Sequence, residues 1–346
     1  MSGTALGHLD LRVDGDAGRV LGWRATTFRI EALADYGSKP NGQVGTLQGL
    51  SNIEVRRNAT RLYAAWLQHA FSPALDVLAG LYDLNSEFYA TDASSLLIHP
   101  AFGVGAELAQ TGANGPSIFP ELAAGVRVRV RSPGGAYGQA AVMSGSAGDP
   151  EHPGRTVVRI RQHDGALVVA EAGWQAGEDS GRSGVAHAGL GVWAYTQPVD
   201  RIDGRGRATN AGAYALAQAA LGSVGAQRIV GFVRSGVAAA RVDPIEAAFD
   251  AGVHGQRAGD GAGPDAWSVG VARARIGRPS LAARAAEGET GLHRSETTVE
   301  VDARWRLGAG FAVQPLVQHV IHVAGRSRSA TVVGVRWSWS LPGGDQ

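Results

Sequence analysis

Between Thr298 and Leu307 polar and apolar residues alternate without a break over ten positions. In an extended strand successive side chains point to opposite faces. One face therefore carries Thr298, Glu300, Asp302, Arg304 and Arg306, and the other Val299, Val301, Ala303, Trp305 and Leu307. A soluble sheet also alternates, but its polar face is usually mixed and its apolar face meets a second layer. Here four of the five polar positions are charged and the apolar face carries an indole. That pattern suits a wall with water on one side and lipid on the other.

The period recurs along the chain. His8, Asp10, Arg12 and Asp14 interleave with Leu9, Leu11 and Val13, and Arg127, Arg129 and Arg131 with Val126, Val128 and Val130. Thr27, Arg29, Glu31 and Asp35 interleave with Phe28, Ile30, Ala32, Ala34 and Tyr36. Weaker strands follow at 60–71, 74–84, 136–146, 166–176, 187–197, 211–221, 227–238, 245–255, 266–276, 311–322 and 329–341, fifteen in all. Residues 279–287 are the one short helix candidate, within a loop. With no Pro/Ser linker and no heptad, the whole of 1–346 reads as a single all-β domain.

Connections mostly run short, long, short, long. Short ones include Asp14–Gly18, Ser72–Pro73, Ser132–Gly135, Gly222–Ala226 and Gly308–Gly310; long ones include 37–52, 85–120, 147–165 and 277–295. Outer-membrane barrels have tight periplasmic turns and longer outside loops, although 256–265 is too long for its expected side. If Gly308–Gly310 is a periplasmic turn, the first strand begins outside. Bacterial barrels have an even strand number. The expectation is therefore an antiparallel transmembrane β-barrel of about sixteen strands, with the first strand and a signal peptide upstream of residue 1.

Composition narrows the class. Of 346 residues 50 are Gly, only 18% are charged, and the net charge of +1 gives no field for a nucleic-acid partner. Mean hydropathy is −0.07, too polar for a helical membrane protein, and no run approaches the ~20 apolar residues such a helix needs. All basic residues but Lys39 are Arg, and with no Cys there is neither a disulfide nor a thiolate metal site.

Four segments resemble the carbohydrate-selective porin family, the OprB-like porins. They are Leu6–Trp23; Gly49–Gln68; Gly80–Pro120, which contains Leu81–Phe88 and His99–Gly103; and Glu296–Trp337, which contains Val313–Gln318 and Val332–Arg336. The resemblance covers almost the whole chain in order. It implies a sixteen-strand barrel in the bacterial outer membrane that passes sugars by facilitated diffusion, without a cofactor or a reaction. It also implies contact with outer-membrane lipid, insertion by the barrel assembly machinery, and a homotrimer as candidate assembly. The chain departs from the pattern at its C-terminus, where Pro342–Gln346 follow the last strand.

A sugar is neutral and rich in hydroxyls, so a selective pore replaces its water hydrogen bonds with charged donors and acceptors and covers its apolar ring faces. The alternation turns Arg12, Arg29, Glu31, Trp66, Arg127, Arg129, Glu171, Arg234, Glu300, Arg304 and Arg336 inward as candidate pore-lining groups. The bland alternative is that they solvate a wet lumen and pair with one another. Loop 85–120 is the candidate constriction, because so long a loop is usually functional. Asp83, Asn85 and Glu87 stand at its mouth, either facing the eyelet or forming its turn. Tyr36, Tyr63, Trp174, Trp305, Trp337 and Trp339 are expected outside as interfacial girdles.

Other chemistries find little support. His319 and His322 sit on opposite strand faces and cannot share a metal. Gly103-Val-Gly105 and Gly308-Ala-Gly310 lack the strand–turn–helix context of a nucleotide site. No carboxylate pair suggests glycosidase chemistry. Two rivals stay open: a plugged outer-membrane barrel for secretion or assembly, and a soluble polysaccharide-binding β protein.

Overall fold

The computed structural model describes residues 3–156, 158, 164–176, 184–259, 261, 263–308 and 310–341; the tail Pro342–Gln346 lies outside the described residues. Fifteen strands form one antiparallel sheet in chain order without a crossover. They begin with β1 (Leu6–Asp16), β2 (Thr26–Gly37), β3 (Ala59–Ser72), β4 (Leu75–Tyr82), β5 (Ala123–Arg131), β6 (Ala136–Ser144), β7 (Ala166–Gln175) and β8 (Gly184–Tyr195). A small hairpin of β9 (Val199–Asp200) and β10 (Arg207–Ala208) stands apart. The sheet resumes with β11 (Ala211–Val224), β12 (Gln227–Ala238), β13 (Ile245–Arg257), β14 (Ala266–Ile276), β15 (Ser295–Gly308), β16 (Phe311–Ile321) and β17 (Ala330–Trp339). Every strand expected from the alternation is present, and the helix expected at 279–287 is α4 when the helices are numbered α1 (Ala17–Leu21), α2 (Pro40–Val44), α3 (Ala106–Ala109) and α4 (Arg278–Ala286).

Burial along these strands is inverted relative to a soluble sheet. On β15, Thr298 and Glu300 are fully buried while Val301 is 47% exposed. Val126, Val128 and Val130 on β5, Val142 on β6 and Val333 and Val335 on β17 are likewise exposed. An apolar face turned outward with no second layer over it is what a lipid-facing wall requires. Among the described residues nothing covers that face, which disfavours the soluble-sheet reading.

The inward face curves around its own loops. The connection from β4 to β5 reaches Tyr63 on β3 through Asp83 and Gln314 on β16 through Leu96. From β4 to β16 is ten strand spacings, or about 48 Å across a flat sheet. One loop can touch both only if the sheet wraps round it. The β2–β3 connection spans the sheet's two ends in the same way, with Leu50 packed on Val320 and Asn52 accepting from Arg336. The connection between β13 and β14, too long for its side by length alone, is drawn in by Arg257, which donates to the carbonyls of Gly261 and Pro264.

Tyr63 is a correction. It was expected outside, but it is buried and its hydroxyl donates to Asp83 at 2.6 Å. A β-bulge explains it: the pairing runs Glu31 with Ala64 and then Ala32 with Leu62, leaving Tyr63 as the extra residue. Such an insertion shifts the inside/outside parity by one, so Arg61 and Tyr63 point inward before the bulge and Ala64 and Trp66 after it. Tyr36, Trp174, Trp337 and Trp339 are exposed on the outer face, and Trp305 is half-buried there.

Gly80 lies opposite this bulged segment, paired with Trp66, at φ +140. A Cβ there would stand 2.6 Å from Trp66 Cα. Gly80→Val is expected to cost about 1–3 kcal/mol through backbone strain, read as a lower urea midpoint for the folded species on unheated gels. An unchanged midpoint would contradict the close packing.

Candidate functional site

The long connection at 83–122 is built to turn inward. At its start the Asp83 carboxylate accepts from its own turn at Asn85 N, 2.8 Å, and from Tyr63. Asn85 closes the first bend by donating to the Gly103 carbonyl at 2.8 Å. Three 3-10 turns and α3 follow, and the apolar side chains Phe88, Tyr89, Leu97, Phe102 and Leu108 are all buried. Tyr89 stacks on Tyr214 of β11 with ring centroids 4.1 Å apart. Leu97 and Phe102 press on Gly270 of β14, where a Cβ would be 2.7 Å from each. A larger residue at that position would push the loop off the wall.

Irregular backbone brought inside needs partners for its N–H and C=O groups. The wall supplies them with buried charges. Glu300 accepts from Ile98 N at 2.6 Å and His99 N at 2.9 Å, with Gln318 donating to it at 3.1 Å. Gln318 also donates to the Leu50 carbonyl at 2.9 Å, so one pair on β15 and β16 holds both inward loops. Glu171 accepts from Tyr89 N at 3.0 Å, Tyr214 Oη at 2.7 Å and Tyr137 Oη at 2.9 Å. Arg234 pairs with Asp250 at 2.9 Å and donates to the carbonyls of Tyr89, Ala101 and Gly103. Glu296 holds the other loop through Leu47 N at 2.8 Å and ties it to the β16–β17 connection through Ala324 N at 2.8 Å. Hydrogen bonds to charged groups contribute roughly 1.5–3 kcal/mol each, so these clamps decide where the loop lies.

A second ionic row lies on β4 and β5. Arg127 is fully buried between Asp76 and Glu87, Arg129 contacts the same Glu87, and Arg131 reaches Asp76 at 2.7 Å. Arg129 also donates to Gln139 at 2.8 Å. Glu87 thus ties the loop mouth to the barrel wall.

On β1, β2 and β3 the inward face is left more open. Arg29 grips Asp14 at 2.6 and 3.2 Å and lies 5.3 Å over the Trp66 ring, and Arg12 meets Asp14 at 3.0 Å. The side chains of Arg12, Arg29 and Asp14 keep 32%, 28% and 45% of their exposure. Glu31 stands next to them, more deeply set. Arg336 on β17 donates to Asn52 of the β2–β3 connection.

The candidate residues thus fall into separate groups. Arg12, Arg29, Glu31 and Trp66 come together on an open wall, and Glu87, Arg127 and Arg129 form the ionic row. Asp83 and Asn85 shape the loop's first turn. Glu171, Arg234 and Glu300 face inward as the alternation requires, but they are buried beneath the loop. Arg304 stands apart, half-buried toward the short-turn end of β15.

Reading from the sequence missed Asp76, Glu296, Gln139 and Gln318. Asp76 had a signal, since it is the one charge on β4 and pairs in register with Arg129. Glu107 on α3 was also missed: it is fully buried against Gly236 of β12, near the Tyr89 hydroxyl, and burial pushes it up to about 7. Burial likewise holds the His99 imidazole down to about 3. Asp149, Glu151 and His152 bring ligand atoms within 4.8 Å of one another. Their contacts, Glu151 N to Asp149 at 3.2 Å and His152 to Asp149 at 3.1 Å, are those of a local turn.

The model of the carbohydrate-selective porin, OprB family, matches residues 2–341. The high-pH structure of Pseudomonas putida OprB aligns with a TM-score of 0.79 at 17% identity, over 96% of this chain and 86% of that one. The low-pH structure of Pseudomonas putida OprB aligns at 0.54 and 14%, over 96% and 84%. The outer membrane channel DcaP of Acinetobacter baumannii aligns at 0.53 and 11%, over 95% and 82%. No curated protein matches significantly. At these identities the structural likeness carries the fold, that of an outer-membrane β-barrel.

The Glu300 clamp and the buried Glu107 each lead to a prediction. Glu300→Ala leaves the Ile98 and His99 amides without their acceptor and is expected to cost roughly 2–4 kcal/mol, with faster proteolysis within 83–122. A cleavage rate equal to that of the unchanged chain would refute the clamp. Glu107 has a folded pKa of about 7, raised from 4.5, so the native loop binds the extra proton. Its unfavourable contribution is absent below pH 4.5 and grows as pH rises toward 7. Glu107→Gln should therefore flatten the fall in urea midpoint between pH 4.5 and 7; an unaltered slope would exclude Glu107 as its source.

Proposed function

The chain belongs to the carbohydrate-selective porin (OprB) family, and on that premise we propose that sugar passes along the side of the lumen that the inward loops leave uncovered. The protein is a carbohydrate-selective porin of the Gram-negative outer membrane. What supports the path is the charged, partly exposed inner face of β1 and β2 beside Trp66.

The chemistry of that face suits a neutral polyol. Arg12 and Arg29 share the Asp14 carboxylate, so donors and acceptors stand side by side with much of their net field cancelled. A sugar hydroxyl both donates and accepts, and exchanges its water for such a row at little cost. An ion finds less net attraction there. Trp66 offers an apolar edge to the ring face. Contacts of this kind are weak and multiple, as conduction requires, because a solute bound tightly does not leave.

In this reading 1–346 is one barrel domain, loop 85–120 is the constriction, and Asp83, Asn85 and Glu87 fix its mouth. Arg127, Arg129, Glu171, Arg234 and Glu300 define the lumen indirectly by holding the loop against the wall. Arg304 and Arg336 continue the polar surface on β15 and β17. Transport is passive, with no catalytic step and no cofactor. The partners are sugars inside, outer-membrane lipid outside and the barrel assembly machinery at insertion, and the reading extends to a homotrimer.

Liposome swelling tests the path. The purified chain should admit a monosaccharide faster than an amino acid of equal size. Arg29→Ala with Trp66→Ala should lower the sugar rate roughly three- to tenfold, the equivalent of about 1 kcal/mol in lost contacts, and change the amino-acid rate much less. Equal loss for both solutes, or loss for neither, would remove this wall from the sugar path.

A further inference from the structure

The outer wall carries a feature that conduction does not use. Across β11 to β15 lies an open apolar groove of about 580 Å³. Its floor is made by small outward residues, Ala217 and Ala219 on β11, Gly231 on β12 and Ala251 on β13; its rim includes Val269 and Val271 on β14. Pairing places Ala217, Val233, Ala251, Val271 and Val299 in one row and Ala219, Gly231, Val253 and Val269 in the next. Small residues on adjoining strands between larger neighbours produce the depression.

The next outward position on β14 after Val271 is Arg273, about 7 Å further along the strand. It is exposed, and it has no ion-pair partner among the described residues. Arg275 follows on the same face and meets Glu246 at 2.7 Å, and Arg294 meets that same carboxylate at 2.6 Å. Two guanidinium groups thus share one carboxylate, and Arg273 beside them adds a third positive charge. They stand where β14 enters the long α4 connection, at the opposite end of the strand from Trp267 and the β13–β14 connection. Trp267 and Arg273 are six residues apart, about 20 Å along the strand, or about 15 Å of membrane depth at the usual strand tilt.

We propose that this groove and its arginines form a binding site for a phosphorylated lipid of the outer leaflet, with an acyl chain in the groove and phosphate on Arg273 and Arg275. The apolar floor gives the chain a concave surface in place of a convex wall. Guanidinium groups recognise phosphate through paired, charge-assisted hydrogen bonds. The surplus positive charge at the headgroup level selects an anionic lipid over a zwitterionic one. A second copy of the chain fits less well: an apolar wall laid over the groove would bury Arg273 without a counter-charge, which is strongly unfavourable. The site rests on the wall facing lipid, and not on the sugar path.

The test is native mass spectrometry of the full chain in neutral detergent, with diphosphorylated lipid A or phosphatidylcholine added. Diphosphorylated lipid A should stay bound at an occupancy at least about fivefold above phosphatidylcholine, and Arg273→Glu should abolish that preference. Ala251→Phe, which fills the floor from outside without touching the lumen, should lower retention of both lipids. Equal retention of the two lipids by the unchanged chain overturns the proposal without any variant. So does undiminished binding in Arg273→Glu, or a dimer mass that Ala251→Phe dissociates. Swelling by a monosaccharide should be the same in both variants, so failure of the lipid site is distinguishable from failure of the porin reading.

Discussion

The structure depends on buried carboxylates and guanidinium groups of the wall gripping the backbone of an inward loop. In a soluble domain the interior is filled by apolar side chains and the backbone is satisfied within regular elements. Here the apolar face of every strand is committed to lipid, so the interior is filled by loops whose irregular backbone must find partners elsewhere. Glu300 and Arg234 each satisfy several such groups at once, and Glu171 satisfies one while also accepting from two tyrosine hydroxyls of the wall. The loop contributes its own apolar anchors, with Tyr89 on Tyr214 and Phe102 near Phe232. Neither set alone would place it, because the aromatic contacts tolerate sliding and the charged contacts require its backbone at one register.

That placement decides the shape of the lumen. Because the clamps on β7, β12 and β15 draw the 83–122 segment to their side, the charged face of β1 and β2 stays uncovered. The glycines at Gly236 and Gly270 belong to the same design, since a side chain at either would collide with Glu107 or Phe102. Pairing on the open face, where Arg12 and Arg29 share Asp14, leaves a surface rich in hydrogen-bonding groups but low in net field. The Arg127 row on β4 and β5 joins the two regimes, buried at Asp76 and partly open at Arg131. Outside, β11, β12 and β13 present small residues, so that β12 carries the Arg234 clamp on one face and part of the groove floor on the other.

The strands were legible from the chain alone for a physical reason. Polar side chains on the outer face are costly at the middle of the bilayer and cheap only near its interfaces, and this makes the period-two pattern stricter than in most soluble sheets. The pattern failed only where the backbone broke its own period, at Tyr63, because a bulge changes the parity without leaving a mark in composition. The family resemblance was carried by segments that include the inward loop, such as His99–Gly103, yet nothing in those residues said which wall the loop would meet.

The sequence by itself determined the class of fold, the strands, the side that faces inward wherever the alternation is unbroken, and the family, because all of these follow from local alternation and short motifs. It could not separate Glu300, buried under a loop, from Arg29, open to the lumen, since both are charged residues at inward positions of a strand. That distinction depends on contacts between residues about two hundred positions apart, such as Ile98 with Glu300. Only the curvature of the sheet brings such residues together, so only the tertiary structure divides the inward charges into those that hold the loop and those left facing the lumen.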